Sequence, residues 1–217
     1  MASRRPRAQD LHGNAPDKAE TALVLVDVIN DLEFPTGPQL LRAALAAGRR
    51  LKDLKRRAKR AGVPCIYVND NFGRWRSDFS AQVQHCLRDG TRGAALVELL
   101  LPEPDDYFVL KPKHSAFYET CLSVLLEHLD VRTLVLAGFT TDSCLTFTAT
   151  DAYVRNYQLV VPRDTSAAAS TRAHREALAL MRSVLHGKTP PARALTFVRG
   201  GSLRIRSTTS ARTRSSS

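Results

Sequence analysis

The chain alternates short, near-continuous apolar runs with longer stretches whose apolar positions recur at helical spacing. The first run, TALVLVD at 21–27, is apolar almost throughout and closes on an acid. Such a run fits a central parallel strand covered on both faces, since a solvated face would interleave polar residues. Residues 39–61 then place Leu40, Leu41, Leu45, Leu51, Leu54 and Ala58 at roughly helical intervals, and Gly62 and Pro64 end the pattern. Further strands are predicted at 63–68, 107–110, 133–137, 158–161 and 195–198. Helices are predicted at 79–88, 119–129, 143–155 and 171–185. Strands separated by helices predict an α/β fold, a three-layer αβα sandwich with a mainly parallel six-stranded sheet. Residues 1–19 read as a flexible N-terminal tail, 20–198 as one domain, and 199–217 as a basic disordered C-terminal tail.

Length and composition fit this picture: 217 residues with 43% apolar content suit one α/β domain with a buried core. No apolar run approaches the ~18 residues of a membrane span, so no membrane partner is expected. The N-terminal residues carry arginines but no apolar core segment, which argues against a secretory signal and makes a cytoplasmic protein the expectation. Cys65, Cys86, Cys121 and Cys144 form no CxxC pair and no metal-ligand spacing, as free thiols would.

The net charge of +11 matters by where it lies. Residues 42–60 hold nine Lys/Arg against Asp53 alone, and residues 199–217 hold five arginines and no acid. The basicity therefore reads as one solvated helix face and one tail rather than a groove. No aromatics interleave with these arginines, which argues against a base-stacking platform. No specific nucleic-acid partner is expected, only a weak, salt-sensitive attraction to polyanions.

Ligands in parallel sheets bind beyond the carboxyl ends of the strands. Asp27, residues 69–71, Lys111 and the 138–144 turn each follow a predicted strand, so they should converge. Cys144 stands at the first turn of a helix, directly after a strand and a glycine-containing turn. A helix N-terminus lowers a thiol pKa and offers unpaired N–H groups to a developing oxyanion. Most cysteines are simply small buried hydrophobes, and Cys65, Cys86 and Cys121 fit that role. An acid closing a buried strand, as Asp27 does, is costly unless paired or used. Asp31 is the better candidate for capping. Lys111 is set apart from surface lysines by the phase of its strand and by the structured-looking sequence after it.

Three ordered motifs resemble the isochorismatase-like cysteine hydrolases, a family that includes nicotinamidases, carbamoylsarcosine amidohydrolases and ureidoacrylate-type amidases. VLVDVIND is similar to the family's first motif, a strand ending in the catalytic Asp. KPKHSAF at 111–117 is similar to its K-x-R-x-S-A-F, with the first lysine catalytic. LVLAGFTTDSCLTFTATDA at 134–152 resembles the third, with the nucleophile in G-x-x-T-x-x-C ahead of T-A-x-D-A. The resemblance spans about residues 20–198 and implies a catalytic triad of Asp27, Lys111 and Cys144. It also implies a cis peptide at Phe139–Thr140 and an oxyanion hole from the N–H groups of Thr140 and Cys144. Two departures stand out. Ile29 occupies a place where relatives often carry Gln, and NDNFGRW at 69–75 lacks the histidine of the metal-binding Asp-x-His cluster of nicotinamidases. No metal and no cofactor are therefore expected, and nicotinamide is a poor substrate guess.

The expected reaction is hydrolysis of a small-molecule amide, ureide or carbamoyl C–N bond through a thioester. Asn71, Trp75, Phe117, Tyr118 and Phe147 are candidate pocket walls, with ordinary core packing as the competing role for each aromatic. Two alternatives stand beside this one: an isochorismatase-type vinyl-ether hydrolase, and a non-catalytic scaffold or polyanion-binding protein. The resemblance implies a homo-oligomer, a dimer or tetramer, as the working assembly.

Overall fold

The computed structural model describes residues 18–88 and 90–206. Five parallel strands form the sheet: β1 (Thr21–Val26), β2 (Cys65–Asp70), β3 (Tyr107–Lys111), β4 (Thr133–Phe139) and β5 (Gln158–Val160). Their order is β3-β2-β1-β4-β5, and a two-residue strand, β6 (Ser166–Ala167), pairs with the end of β4. The chain thus winds outward from β1 through β2 to β3, then returns to lay β4 on β1's other side. That reversal is a topological switch point, where open parallel sheets form their clefts.

The apolar run of β1 is buried at every residue, and it serves two cores. Leu23 and Leu25 face one core cluster, while Ala22, Val24 and Val26 face the other. Helices α1 (Gly37–Arg60), α2 (Phe79–Arg88) and α3 (Ala94–Leu99) lie on the first side. On the second lie α4 (Leu122–His128), α5 (Cys144–Val154) and α6 (Thr171–Ser183). This is the predicted three-layer αβα sandwich. Among the described residues no helix is long and apolar enough to cross a membrane.

Three expectations need correction. The stretch at 195–198 is not the sixth strand of the main sheet: β7 (Leu195–Val198) pairs antiparallel with β8 (Ser202–Ile205) in a separate two-stranded sheet. The sixth strand is the much shorter β6. Residues 199–206 are consequently not disordered tail; Gly200 and Gly201, both at positive φ, turn the chain back onto β7. Leu203 and Ile205 pack against the first core cluster, which gives β8 its reason to fold. The rest of the expected tail, 207–217, and residues 1–17 lie outside the described residues. Lastly, α4 begins later than predicted, since Glu119 adopts a positive φ and the Thr120 hydroxyl accepts from the Leu122 N–H at 3.2 Å.

Candidate active site

The carboxyl ends of β1, β3 and β4 meet at the switch point. Asp27 follows β1 directly with φ 51°, a left-handed conformation that turns its side chain out of the strand's course. Its N–H bonds the Val68 carbonyl at 2.9 Å, and its Oδ1 accepts the Asp70 N–H at 2.7 Å. Lys111 ends β3, two strands away, and its fully buried side chain reaches back across β2. Its ammonium lies 2.9 Å from Asp27 Oδ2, 3.2 Å from Asp70 Oδ2 and 3.7 Å from Cys144 Sγ. Cys144 opens α5 and is partly buried. Asp27, Lys111 and Cys144 are thus brought together.

The third motif positions the thiol. At Gly138, φ is 121°, and a Cβ there would stand 2.0 Å from the Val26 carbonyl oxygen, so glycine alone lets β4 run this close to β1. The chain then passes the cis peptide Phe139–Thr140 and the turn 140–143 into α5. Thr141, fully buried, bonds the Ala167 carbonyl through its N–H at 2.9 Å. Its hydroxyl meets His174 Nδ1 at 2.8 Å, and His174 Nε2–H donates to the Arg163 carbonyl at 3.0 Å. Among the described residues, the N–H groups of Thr140 and Cys144 donate to no protein acceptor. The second motif is fastened to α5: the Ala116 N–H bonds Thr148 Oγ1 at 3.0 Å, and Ser115 donates to Asp151. The S-A and T-A-x-D residues are therefore partners across the site.

Electrostatics decide where the protons sit. Burial pushes Asp27 above its ordinary 3.8, outweighing Lys111, the thiol hydrogen bond and the Asp70 N–H. For Lys111, burial acts downward, but Asp27, Cys144 and Asp70 prevail and hold it above 10.5, as an ammonium. Burial first, and then the charge of Asp27, push the Cys144 thiol up to about 12 against the pull of Lys111. The expectation of a thiol acidified by its helix N-terminus is thereby overturned. With the thiol pushed up by burial and the neighbouring carboxylate, the resting sulfur keeps its proton beside a carboxylate able to take it.

The remaining sequence candidates are spread out. Asn71 sits at the sheet end, its Oδ1 accepting the Gly73 N–H at 2.9 Å, and helps line a small cavity with Asp31 and Gln82. Trp75, Tyr118 and Phe147 are exposed, Trp75 most of all at 75%, and Phe147 stacks on His114 with ring centroids 5.1 Å apart. Phe117 is not a pocket wall. It is buried in the second core beside Tyr157, because the turn that pins Ala116 to Thr148 points the next side chain inward. Ile29 is fully buried in the other core and so does not face the site in place of the familial Gln. Asp31 accepts the Glu33 N–H at 3.0 Å and pairs with His85 at 3.2 Å.

Asp70 falls in the 69–71 segment expected at the site, but its role was not assigned from sequence; it closes β2 directly across from Lys111 in register. It also occupies the place of the first residue of the nicotinamidase Asp-x-His. The fit to a metal there is poor: its carboxylate already faces an ammonium, and Phe72 offers no donor. Among the described residues no group of three or more His, Cys, Asp and Glu is placed to hold a metal ion.

Fold and site together define an αβα domain whose switch point gathers a carboxylate, an ammonium and a thiol. The chain belongs to the isochorismatase family of hydrolases: the isochorismatase domain matches residues 21–189. It is 39% identical over 168 residues to the uncharacterized isochorismatase family protein YaaI of Bacillus subtilis, covering 77% of this chain and 92% of that one. With the ureidoacrylate amidohydrolase RutB of Methylobacterium radiotolerans it shares 30% identity over 199 residues, 76% of this chain and 74% of the other. Among solved structures, N-carbamoylsarcosine amidase from Thermoplasma acidophilum is 26% identical with a TM-score of 0.61, covering 80% of this chain and 96% of that one.

Proposed function

We propose that this protein is a cysteine hydrolase that cleaves the C–N bond of a small ureide, carbamoyl compound or amide. The observation that carries the reading is the buried Lys111 ammonium, 2.9 Å from Asp27 and 3.7 Å from Cys144. Two relatives named for ureidoacrylate and N-carbamoylsarcosine support the substrate class.

The reaction runs in two halves. Asp27 accepts the thiol proton as Cys144 Sγ attacks the carbonyl carbon, and Lys111 stabilises the negative charge as it moves from carboxylate to sulfur. The N–H groups of Thr140 and Cys144 receive the oxyanion. As the tetrahedral centre collapses, the C–N bond breaks and Asp27 passes its proton to the leaving nitrogen. A thioester on Cys144 and a free amine result. Water then gives a proton to Asp27 and attacks the thioester carbonyl. The C–S bond breaks, the proton returns to sulfur, and the acid product leaves. The three groups titrate as one coupled set.

Intact-mass spectrometry of the protein incubated with a panel of ureides, carbamoyl compounds and amides tests this directly. An acyl adduct that maps to Cys144 is expected, with ammonia or amine released. Cys144→Ala should lose at least about 10³-fold in kcat/KM, roughly 4 kcal/mol of transition-state stabilisation. Turnover of an added isochorismate-like vinyl ether that survives this substitution would instead indicate vinyl-ether cleavage, in which the acid works without the thiol. Absence of both adduct and amine across the panel would sink the proposal.

A further inference from the structure

The basic residues of α1 divide into two sets once folded. Lys55 and Lys59 point toward the loop before β3, where Glu103, Asp105 and Asp106 neutralise them. Arg56 and Arg57 both meet Asp53. Arg57 also clamps the C-terminal segment, donating to the Leu195 carbonyl at 2.7 Å and the Ala192 carbonyl at 3.0 Å. This clamp draws the β7–β8 hairpin against the helix and turns what the sequence presents as a helix face and a tail into the two walls of one cleft.

The cleft has a volume of about 590 Å³ and continues into a second hollow of about 410 Å³; Asp53, Arg57 and Arg193 line both. Eight arginines face the two hollows against two aspartates, Asp53 and Asp164. Both acids are already engaged, Asp53 by Arg56 and Arg57, and Asp164 by Arg50 and the Ala192 N–H. Arg60, Arg193, Arg199 and Arg206 are exposed and pair with no acid among the described residues. Concentrating unpaired guanidinium groups in a concave wall costs self-repulsion that an anion would relieve.

We propose that this cleft binds the phosphodiester backbone of a nucleic acid without regard to base sequence. Guanidinium forks match phosphate oxygens in geometry as well as charge. The joined hollows form a trough suited to a chain of anions rather than to one small anion. Aromatic side chains that would stack bases are scarce there: Phe197 is the single aromatic in the lining, and it packs into the core. That composition reads backbone, not sequence. A second copy of this chain is a poor occupant, since a two-fold pairing would set arginine against arginine. The first hollow, lined by Arg57 and Arg60 of α1 and by the hairpin, stands at the opposite end of the sheet from the triad. α1 runs back along the parallel sheet, so its last turns lie toward the end away from Asp27 and Cys144.

Fluorescence anisotropy of the full chain with a labelled single-stranded RNA, the matching DNA and its duplex provides the test. Micromolar binding to all three is expected at about 50 mM salt, weakening steeply as salt rises. The triple variant Arg60→Gln, Arg193→Gln, Arg206→Gln should weaken single-strand binding at least tenfold. It should also flatten the log–log salt slope by about 2, since each phosphate left without its arginine takes about 0.7 from that slope. Arg88→Gln, Arg132→Gln and Arg175→Gln, equally exposed but elsewhere, should together change it less than twofold. Melting temperatures of both triple variants establish that each is folded. Equal losses in the two would mean net charge alone is at work and overturn the proposal. So would wild-type affinity in the cleft variant, loss of all binding on truncation after Arg206 alone, binding to phosphatidylserine vesicles but to no nucleic acid, or no binding to any of the three.

Discussion

Asp70 shares the Lys111 ammonium with Asp27 while its own N–H holds the other oxygen of Asp27. Replacing it by Asn keeps the shape and the N–H and removes one negative charge from Lys111. Since Asp70 is among the charges that hold Lys111 above 10.5, Asp70→Asn should lower kcat about tenfold and move the alkaline limb of the pH profile to lower pH. A residue that merely fills space would leave that limb in place. For the unaltered protein the signs follow from the same shifts. Activity requires ionised Asp27, whose pKa is raised above 3.8, so kcat/KM should fall as the medium is acidified through that raised value. The alkaline fall should come only above pH 10.5, as Lys111 loses its proton. A descending limb near neutrality would contradict this assignment of charge. Asp27, Lys111 and Cys144 were legible because each follows a strand inside a recognisable motif. The place of Asp70 after β2 was legible too, but its pairing with Lys111 was not, because that depends on the register of β2 against β3, which no local pattern encodes.

At the scale of elements, α1 is fastened by a cluster of opposite charges as well as by its apolar face. Lys55 and Asp106 are both nearly buried, 2.6 Å apart, and Lys55 also donates to the Leu101 carbonyl and lies over the Tyr67 ring. Removing Lys55 leaves the buried Asp106 only the longer contact to Lys59, at 3.3 Å, and the Glu103 N–H in a desolvated place. Lys55→Met should therefore cost about 3 kcal/mol, read as a lowered midpoint in urea; a cost under about 1 kcal/mol would mean that solvent already screens the pair. The outer members behave differently. Hydrogen bonding from Lys59 holds the exposed Glu103 and Asp105 below their ordinary 4.5 and 3.8. Their contribution is fully present above those values and is lost as pH falls through the lowered ones. In the sequence the lysines read as a solvated face, because pairing over some fifty positions leaves no trace in spacing. The helix itself was legible from its apolar periodicity. α3, six residues long, is too short to display a period at all.

At the scale of the whole molecule, the layers and the parallel sheet could be read from the alternation of elements, while the closing hairpin could not. β7 looked like one more sheet strand, and β8 was masked by its arginines, since a basic Ser/Thr-rich stretch resembles a solvated tail. What makes β8 fold is long-range. Leu203 and Ile205 cover the first core, the Gly201 carbonyl accepts the Thr21 N–H at 2.9 Å, and the Arg206 N–H bonds the Ala194 carbonyl at 2.9 Å. The hairpin turn thus seats on the first residue of β1, joining the last described strand to the first. Two partly buried apolar side chains contribute about 1 kcal/mol each, and the ladder bonds offset much of the ordering entropy. A chain ending at Val198 should then be less stable by about 2–3 kcal/mol, a fall in melting temperature of roughly 5–10 °C for a domain of this size. A chain ending at Arg206 keeps the whole hairpin and serves as the reference in the same calorimetric scan. Equal midpoints for the two would make the hairpin an appendage and put the boundary of the folded domain back at residue 198. A gap of the expected size would place that boundary beyond β8.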